Sequence, residues 1–424
     1  MPVCAIDFGT SNTSVFVADQ TETRTVLVDP QSKISETAPT ISFYPNEEGQ
    51  FHGTPAARAY VDYHMDGRFI QSLKRHLPSS SFTKTVIRGS SLPIDWIVAQ
   101  YLRWLKDAAE AEAGSQIETV LLGRPARYHT YKKNDDLAQQ RMYEAATRAG
   151  FANIAFQLEP IAAARDFERS LSDDILCLVC DLGGGTSDFT IMKLGPSRLG
   201  GKREKDVVAS TGVSIGGNDF DACLIRHGIL NHFGFDALYH PAEREVPVPT
   251  YLHHSLTAWH QLHFAASDAS NIAFLDSVLR TVAEPGRQGI AWLREFLSNN
   301  YGFAFFGAVE DCKIQLSSHK SATFNFEAGT ISIHDTISRA SFERSVAGLL
   351  ATISGTIDSM FVNAGLRFDD VSTVFLTGGT SQIPCVANLF NSRFSGRIIA
   401  RDAFVSVGRG LAVEARERLI AGRL

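Results

Sequence analysis

Two aspartates enclose a run of three glycines near the middle of the chain. They are Asp181 and Asp188, the ends of the stretch DLGGGTSD (181–188). Consecutive glycines free the turn of Cβ atoms, so several backbone N–H groups can surround an anion such as a phosphate. Carboxylates beside a phosphate need a neutralising cation, and Mg²⁺ prefers oxygen ligands of this kind. The stretch therefore predicts a site for phosphate and Mg²⁺; the alternative is a glycine-rich hairpin whose acids cap its own turn.

A second stretch of the same design lies near the N-terminus. In VCAIDFGTSNT (3–13) an apolar run ends at Asp7, Gly9 follows two residues later, and the hydroxyls of Thr10 and Ser11 come next. One such unit in each half of the chain predicts a duplicated fold, in which each half offers one phosphate-binding hairpin. Two hairpins can hold a single polyphosphate from both sides, so the pair is a more specific indication than either stretch alone.

The segments around these turns must position them, and they indicate an α/β fold. The apolar run 175–180 predicts a buried strand before the glycines, and 189–192 predicts a second strand after them. Strand patterns alternate with helical patterns elsewhere, which is typical of a partly parallel sheet. A short helix is expected with Thr54 as N-cap and Pro55 at its first position. Longer helices are predicted over 92–113, 131–149, 308–317, 339–364 and 403–419.

The composition excludes several classes of protein. The 424 residues are 44% hydrophobic, which is enough to build two or more domains with their own cores. A net charge of −6 argues against non-specific binding to nucleic acid and to anionic membrane surfaces. No apolar run approaches the roughly 20 residues of a membrane span, and the N-terminus resembles a strand and not a signal peptide. We therefore expect a cytoplasmic protein with no nucleic-acid or membrane partner.

Histidines and cysteines offer weaker candidates for chemistry. Cys177 and Cys180 lie in a predicted buried strand, where core thiols are the favoured interpretation over a redox or metal role. The irregular segment 232–308 is interpreted as an inserted subdomain. Within it, His260 and His263 fall on one face of a helix-like piece, but no acid accompanies them at ligand spacing. Packed or solvated histidines are therefore favoured over a metal site.

Two further glycine pairs, 216–217 and 378–379, complete a set of four backbone-lined turns. Together these turns fit a nucleoside triphosphate bound between two lobes. The chain has no GxxxxGK[ST] motif, so it is not a P-loop enzyme. The hydroxyls of Thr10, Ser11 and Thr186 are expected to bond phosphate oxygens.

Charged residues would supply the rest of the chemistry. Asp7 and Asp181 would hold a hydrated Mg²⁺, and Glu159 would either join them or position a water molecule. Hydrolysis also needs a positive charge near the terminal phosphate. Lys74 is the candidate for that charge; the alternative is that Lys74 belongs to a solvated basic face.

Taken together, these motifs resemble the nucleotide-binding domain of the seventy-kilodalton heat-shock chaperones, within the actin-like ATPase superfamily. The chain is similar in particular to short bacterial chaperone-like proteins of the YegD type. The resemblance covers essentially the whole chain, and six motifs occur in the family's order. They are IDFGTSNT (6–13), LKR (73–75), EPIAAA (159–164), DLGGGTSD (181–188), GGNDFD (216–221) and GGTSQIP (378–384).

The resemblance implies a role for each matching residue. Lys74 would be the catalytic lysine, Glu159 and Asp181 would position the attacking water and the Mg²⁺ shell, and Asp7 would be an outer-shell magnesium acid. Thr186 would be both a phosphate contact and part of the catalytic set. The implied nucleotide-binding residues are Asp7, Gly9, Thr10, Ser11, Asn12, Gly183, Gly184, Gly185, Thr186, Gly216, Gly217, Asn218, Glu310, Lys313, Ile314, Ser317, Gly378, Gly379, Thr380, Gln382 and Asp402.

It also implies a two-lobed actin-like ATPase fold of the α/β class, made of duplicated ribonuclease H-like domains with an inserted subdomain in each lobe. Lobe I would span 1–171, with its insertion at about 41–113. Lobe II would span 172–402, with its insertion at about 216–335 and an extra segment at 232–308. A closing helix at 403–424 would pack back on lobe I.

Three features depart from the family's pattern. Ile314 and Gln382 stand where these chaperones stack two arginines on the adenine, so we expect weaker ATP binding or relaxed base selectivity. The segment 232–308 is longer than the family's equivalent. The peptide-binding domain and its linker are expected to be absent, which argues against conventional binding of chaperone clients.

The leading hypothesis is a slow Mg²⁺-dependent ATP hydrolase, a chaperone-like switch with ATP or ADP and Mg²⁺ as cofactors and an unidentified protein as a further partner. One alternative is a nucleotide-controlled filament or scaffold protein like the bacterial actins. Another is a pseudo-ATPase that binds nucleotide without turnover. A sugar or acyl kinase is disfavoured, because no aspartate is singled out for a substrate pocket.

Overall fold

The computed structural model describes residues 1–129, 131–198, 203–241, 244–258, 262, 265–266, 268–284, 286–299, 301–400 and 405–424. The chain divides into two compact units. Unit 1 consists of Met1–Gly216, Ile353–Gln382 and Val386–Leu424, and unit 2 consists of Gly217–Thr352 and Ile383–Cys385.

The secondary structure is numbered here along the chain. The strands are β1 (Val3–Phe8), β2 (Asn12–Ala18), β3 (Thr23–Thr25), β4 (Ala38–Pro39), β5 (Ile41–Pro45), β6 (Phe51–His52), β7 (Gly67–Gln71), β8 (Lys84–Ile87), β9 (Ser90–Pro93), β10 (Thr119–Arg124), β11 (Asn153–Leu158), β12 (Ile175–Leu182), β13 (Ser187–Leu194), β14 (Val207–Val213), β15 (Leu238–Tyr239), β16 (Val246–Pro247), β17 (Ser321–Ala328), β18 (Ile331–Ser338), β19 (Thr373–Thr377) and β20 (Ile398–Ala400). The α-helices are α1 (Thr54–Asp62), α2 (Leu73–His76), α3 (Ile94–Ala113), α4 (Lys132–Arg148), α5 (Glu159–Ala163), α6 (Arg165–Glu168), α7 (Gly217–Leu224), α8 (Thr250–Ser255), α9 (Ala269–Leu279), α10 (Gly286–Asn299), α11 (Gly302–Ser318), α12 (Arg339–Ser345), α13 (Ala347–Ala364), α14 (Pro384–Asn391) and α15 (Ser406–Ile420).

Unit 1 contains two sheets with the same topology. The first has the order β3–β2–β1–β10–β11, with β4 also paired to β2, and the second has the order β14–β13–β12–β19–β20. In each sheet the first three strands are antiparallel, and the last two run parallel to the third. This repetition confirms the predicted fold class, a two-lobed actin-like ATPase fold built from duplicated ribonuclease H-like domains. Within the segment predicted to be inserted in lobe I, strands β6–β5–β7 and β8–β9 form two small sheets of their own.

Alternate side chains of the strands form the apolar core between the two sheets. Because successive side chains point to opposite faces of a strand, Val3 and Ala5 of β1 join one buried cluster and Cys4 and Ile6 join another. The first of these clusters also contains Val179 of β12 and residues of α5 and α15. Helices α5 and α15 therefore pack between the sheets, and they approach closely: a Cβ placed on Gly410 would lie only 1.9 Å from the backbone oxygen of Ala162.

Unit 2 is built around a β-hairpin and an aromatic cluster. Strands β17 and β18 pair antiparallel in register from Ser321 to Ala328, and alternate residues of β17 are buried. Phe324 and Phe326 point to the buried side, where they pack against Phe305 of α11. Phe305 in turn contacts Phe233 and Phe296, which extends the apolar core into the segment 232–308.

Two sequence predictions need correction. The helix predicted over 339–364 is broken at Val346 into α12 and α13, which are bent by 55°. Helix α1 has Gly53 and not Thr54 as its N-cap, and Pro55 is the second helical residue. The backbone N–H of Thr54 donates to Asp29 Oδ2 at 2.6 Å, so a carboxylate distant in sequence caps this helix.

Three of the predicted site or candidate residues fall outside the described part of the chain. His260, His263 and Asp402 are not among the described residues. Cys177 and Cys180 are buried free thiols, as predicted. Among the described residues, no single helix is long and apolar enough to cross a membrane; the bent pair α12 and α13 meets the criterion only when both helices are counted together.

Candidate functional site

The tips of two glycine hairpins meet in unit 1. One hairpin joins β1 to β2 through residues 9–11, and the other joins β12 to β13 through residues 183–186. A Cβ placed on Gly185 would lie 2.8 Å from Cγ2 of Thr10, so the two tips are in contact. Gly9 is equally constrained, because a Cβ there would lie 2.0 Å from the backbone oxygen of Asn12. The structure therefore brings both predicted phosphate-binding turns to one place.

The other two glycine loops abut the same turn. A Cβ on Gly216 would lie 2.5 Å from the backbone nitrogen of Gly185. Gly378 has φ +82°, and a Cβ there would lie 2.3 Å from the backbone oxygen of Leu182. The hydroxyl of Thr380 donates to the backbone oxygen of Gly183 at 2.8 Å. Only glycine tolerates such close backbone approach, which explains why these loops are marked by glycine.

Charged side chains gather beside the hairpins. Lys74 Nζ donates to Glu159 Oε1 at 2.7 Å, and the two side chains are only 13% and 8% exposed. Glu159 is the first residue of α5, directly after β11. Asp7 continues the β1 row of Val3 and Ala5, which faces the core between the two sheets. Asp181 continues the corresponding row of β12, so strand alternation directs both aspartates to the same side as Glu159.

Burial and mutual repulsion shift the titration of these carboxyl groups. Burial, with added repulsion from Glu159 and Asp181, raises the pKa of Asp7 to about 8, and Lys74 partly opposes this. Burial, Asp181 and Glu159 likewise raise the pKa of Asp188 to about 7. Burial raises the pKa of Asp181 and Glu159, again opposed by Lys74. Burial alone would lower the pKa of Lys74, but the charges of Glu159 and Asp7 outweigh it and raise the pKa above its usual value.

This donor set is suited to a hydrated divalent cation. Four carboxyl groups share one lysine, so an added positive charge would relieve their repulsion, and Mg²⁺ takes carboxylate oxygens while keeping several of its waters. Within the described ranges, no three His, Cys, Asp or Glu side chains are arranged to bind a metal directly. That Asp7 and Asp181 hold Mg²⁺ mainly through water stays a prediction. In the same described part, the buried Oγ of Ser11 has no hydrogen-bond partner. This hydroxyl is therefore suited to donate a hydrogen bond to a phosphate oxygen at the β1–β2 turn.

The sequence matches a known family over most of its length. A model of the Hsp70 protein family matches residues 3–237 and 305–415. The chain belongs to the Hsp70 protein family. Hsp70 proteins are chaperone-type ATPases that bind ATP or ADP with Mg²⁺. The Hsp70 match passes over residues 238–304, which fall within the segment 232–308 that the sequence analysis interprets as an insertion.

The remaining predicted Hsp70-type residues in unit 1 lie on or next to these turns. The hydroxyl of Thr186 donates to Asp188 Oδ2 at 3.1 Å. Asn12 begins β2, and Gly183 donates its backbone N–H to the oxygen of Thr186 at 3.0 Å across the turn. Gly379 and Gln382 are the ends of a short 3₁₀ turn after Gly378.

Among the described residues, the other predicted ones belong to unit 2. Gly217 begins α7, and Asn218 follows it. Glu310, Lys313, Ile314 and Ser317 occupy one face of α11, where residues three and four apart are neighbours. Lys313 Nζ is paired with Asp221 Oδ2 at 2.8 Å, and Ile314 is 56% exposed. These residues form a coherent helix face whose role in nucleotide binding stays a prediction.

Several residues beside the charged cluster are not among the predicted site residues. Asp188 encloses the glycines together with Asp181, and the charges of Asp181 and Glu159 act on its carboxyl group. The hydroxyl of Thr377 donates to Asp181 Oδ1 at 3.2 Å, because β12 and β19 pair these two residues in register. Tyr128 lies close enough to Lys74 and Glu159 for burial and their charges to bring its pKa to about 12. Such neighbours follow from sheet register and loop packing, which no local pattern reports.

Proposed function

We propose that this Hsp70-family chain binds ATP with Mg²⁺ and hydrolyses it slowly, acting as a nucleotide-dependent switch. The observation that carries the proposal is the Lys74–Glu159 pair beside two hairpin tips in contact. A buried lysine beside two glycine turns is an arrangement that can stabilise the charge of a transferring phosphoryl group.

Each residue has a defined task in this proposal. The N–H groups and hydroxyls of the turns at 9–12 and 183–186 would bind phosphate oxygens. Asp7 and Asp181 would hold the waters of a Mg²⁺ shell, and the ion would supply neutralising charge at the phosphates. Lys74 would point a fixed positive charge at the terminal phosphate. Glu159 would hold Lys74 in place and accept a hydrogen bond from the attacking water.

Selectivity for the base is proposed to be relaxed. Ile314 and Gln382 occupy positions where the family's chaperones carry arginines that stack on adenine. Each lost cation–π contact removes about 0.5–2 kcal/mol of binding free energy. We therefore expect GTP to compete with ATP more effectively than it does where both arginines are present.

Turnover by the purified chain tests the proposal. With Mg²⁺, the wild-type protein should convert ATP to ADP and phosphate under single-turnover conditions. Lys74→Ala should bind ATP and lose hydrolysis, whereas Lys132→Ala, at a side chain that is 85% exposed, should behave as the wild type. Hydrolysis by Lys74→Ala at the wild-type rate would exclude the assigned role. Tight ATP binding by the wild type without turnover would identify a pseudo-ATPase, and ATP-dependent light scattering would identify a filament former.

A further inference from the structure

The helix that carries Lys74 is too short to hold its own conformation. Helix α2 spans only Leu73–His76. A helix leaves its last four carbonyl groups without intrahelical partners, and one turn alone is not stable in water. The position of Lys74 Nζ must therefore be fixed by contacts from elsewhere in unit 1. Leu73 and Leu77, both fully buried, supply part of this anchoring.

A buried arginine supplies the polar contacts that fix the end of α2. Arg141 of α4 is only 8% exposed. Its Nη1 donates to the backbone oxygens of His76, Leu77 and Ser79 at 3.3, 2.7 and 2.8 Å. Two turns earlier on α4, Asn134 Nδ2 donates to the backbone oxygen of Pro78 at 2.9 Å. One face of α4 thus bonds four consecutive carbonyl groups, that of the last residue of α2 and those of the three residues that follow it.

The hydrogen bonds that the structure shows for Arg141 all go to backbone carbonyl groups. Within the part of the chain that the structure describes, no carboxylate forms an ion pair with Arg141. Burial lowers the pKa of its guanidinium, and the charges of Asp95 and Glu144 oppose this only in part. Burying an unpaired cation is costly, and an alkyl side chain would fill the same volume without that cost. A guanidinium kept against three backbone oxygens therefore has a role that its volume does not explain.

We propose that Arg141 is a positioning residue, which fixes the end of α2 so that Lys74 Nζ stays in contact with Glu159. The inference rests on the proposed function in so far as Lys74 serves ATP hydrolysis. The placement of Lys74 by Arg141 does not depend on whether the protein binds a nucleotide. The two parts can therefore be tested by separate readouts.

The first readout is the reactivity of Lys74 without nucleotide. An acetylating reagent modifies neutral amines, and mass spectrometry of the digested protein reports the rate at each lysine. In the wild type, the raised pKa and burial of Lys74 should keep it far slower than the exposed Lys132. In Arg141→Met the Lys74 rate should rise about tenfold, because one pKa unit changes the neutral fraction about tenfold, while the Lys132 rate should stay unchanged.

The second readout separates positioning from general stability. Arg141→Met should lower kcat for ATP about tenfold or more with KM within about twofold of the wild type, since a displaced catalytic group loses transition-state contacts only. Arg141→Lys, which keeps a cation but loses the fork of donors, should be intermediate. The matched control is Lys133→Met on the same helix, where the side chain is exposed; it should match the wild type in both readouts.

The outcomes are distinguishable. A folded Arg141→Met protein whose Lys74 reacts at the wild-type rate overturns the proposal, even if its unfolding midpoint in urea is lower. If Arg141→Met does not fold, Arg141→Lys and Asn134→Ala carry the test, and wild-type Lys74 reactivity in both overturns the proposal. Absence of ATP turnover in the wild type would refute the proposed function, while the labelling rates would still decide whether Arg141 positions Lys74.

Discussion

Thr10 and Gly185 touch, although they belong to hairpins of different sheets and lie far apart in the sequence. The contact exists because Gly185 has no Cβ: adding one would bring it within 2.8 Å of Thr10 Cγ2. The tip of one hairpin thus requires glycine because of a threonine on the other. This relationship makes the two turns one binding surface, next to the Lys74–Glu159 pair.

The contact predicts a specific pair of substitutions. Gly185→Ala should weaken binding of Mg²⁺ and ATP, because the new methyl group forces the two tips apart. Adding Thr10→Ser removes Cγ2, keeps the hydroxyl, and should restore much of the lost affinity. A double-mutant cycle by calorimetry measures this coupling. Gly355→Ala is the control, since a Cβ there meets nothing within 4 Å; equal effects of Gly185→Ala with and without Thr10→Ser would refute the contact.

The raised pKa values predict how stability depends on pH in the absence of metal and nucleotide. With pKa values of about 8 and about 7, Asp7 and Asp188 keep protons in the folded state that the unfolded chain releases above about pH 4. The folded state then binds more protons, so the free energy of unfolding contributed by these groups falls as pH rises from about 4 towards 8.

Asp7→Asn removes the larger of these two contributions to the pH dependence of the free energy of unfolding. Thermal unfolding in EDTA should show a melting temperature about 2 °C or more above the wild type at pH 8, with a smaller difference at pH 5.5. Asp136→Asn, at a 60% exposed side chain, should leave the pH dependence unchanged. A wild-type pH slope in Asp7→Asn would contradict the assigned pKa shift.

Thr186 should contribute modestly to turnover. Its hydroxyl donates to Asp188 and is one of several polar groups at the β12–β13 turn. Loss of one hydrogen bond corresponds to about 0.5–1.5 kcal/mol, so Thr186→Ala should lower the single-turnover rate about 2–10-fold. Thr186→Ser keeps the hydroxyl and should stay within about twofold of the wild type. A complete loss of activity in Thr186→Ala would indicate a larger role than the structure assigns.

A buried ion pair outside the site should govern stability and not binding. Glu168 of α6 is 1% exposed and accepts from Arg203 Nη1 and Nη2 at 2.9 and 2.7 Å. Glu168→Ala leaves a buried guanidinium short of a partner and should cost about 3–5 kcal/mol in urea unfolding. Glu327→Ala, at a side chain that is 71% exposed, should cost about 1 kcal/mol or less. Similar costs for the two variants would contradict this assignment.

The sequence was most informative where local chemistry dictates conformation. Glycines at 9, 185, 216 and 378 mark places where a Cβ would clash with backbone or a neighbouring turn, so their pattern indicated that these turns lie together and that the sheets are duplicated. The strand rows that lead to Asp7 and Asp181 are equally local, because alternation alone decides which face each residue joins.

Long-range packing was not visible in the same way. A helical pattern runs through Val346 without interruption, yet the chain bends there, so the predicted helix over 339–364 is wrong in its continuity. Arg141 lies in a segment whose pattern predicts an amphipathic helix. No neighbouring residue in the sequence indicates that its guanidinium binds carbonyl groups at and after the end of α2. The same holds for Asp29. Its carboxylate accepts a hydrogen bond at the start of α1, where the sequence predicts Thr54 as the N-cap.

Calorimetric titration of the wild-type chain with ATP, ADP and AMP, each with Mg²⁺ and with EDTA, tests the central claim most directly. If the two hairpins hold a metal-bound polyphosphate, ATP and ADP should bind at least about tenfold more tightly with Mg²⁺ than with EDTA, a difference of about 1.4 kcal/mol, and AMP should bind weakly in both. Equal binding of ATP and AMP, or ATP affinity that does not depend on Mg²⁺, would contradict the account.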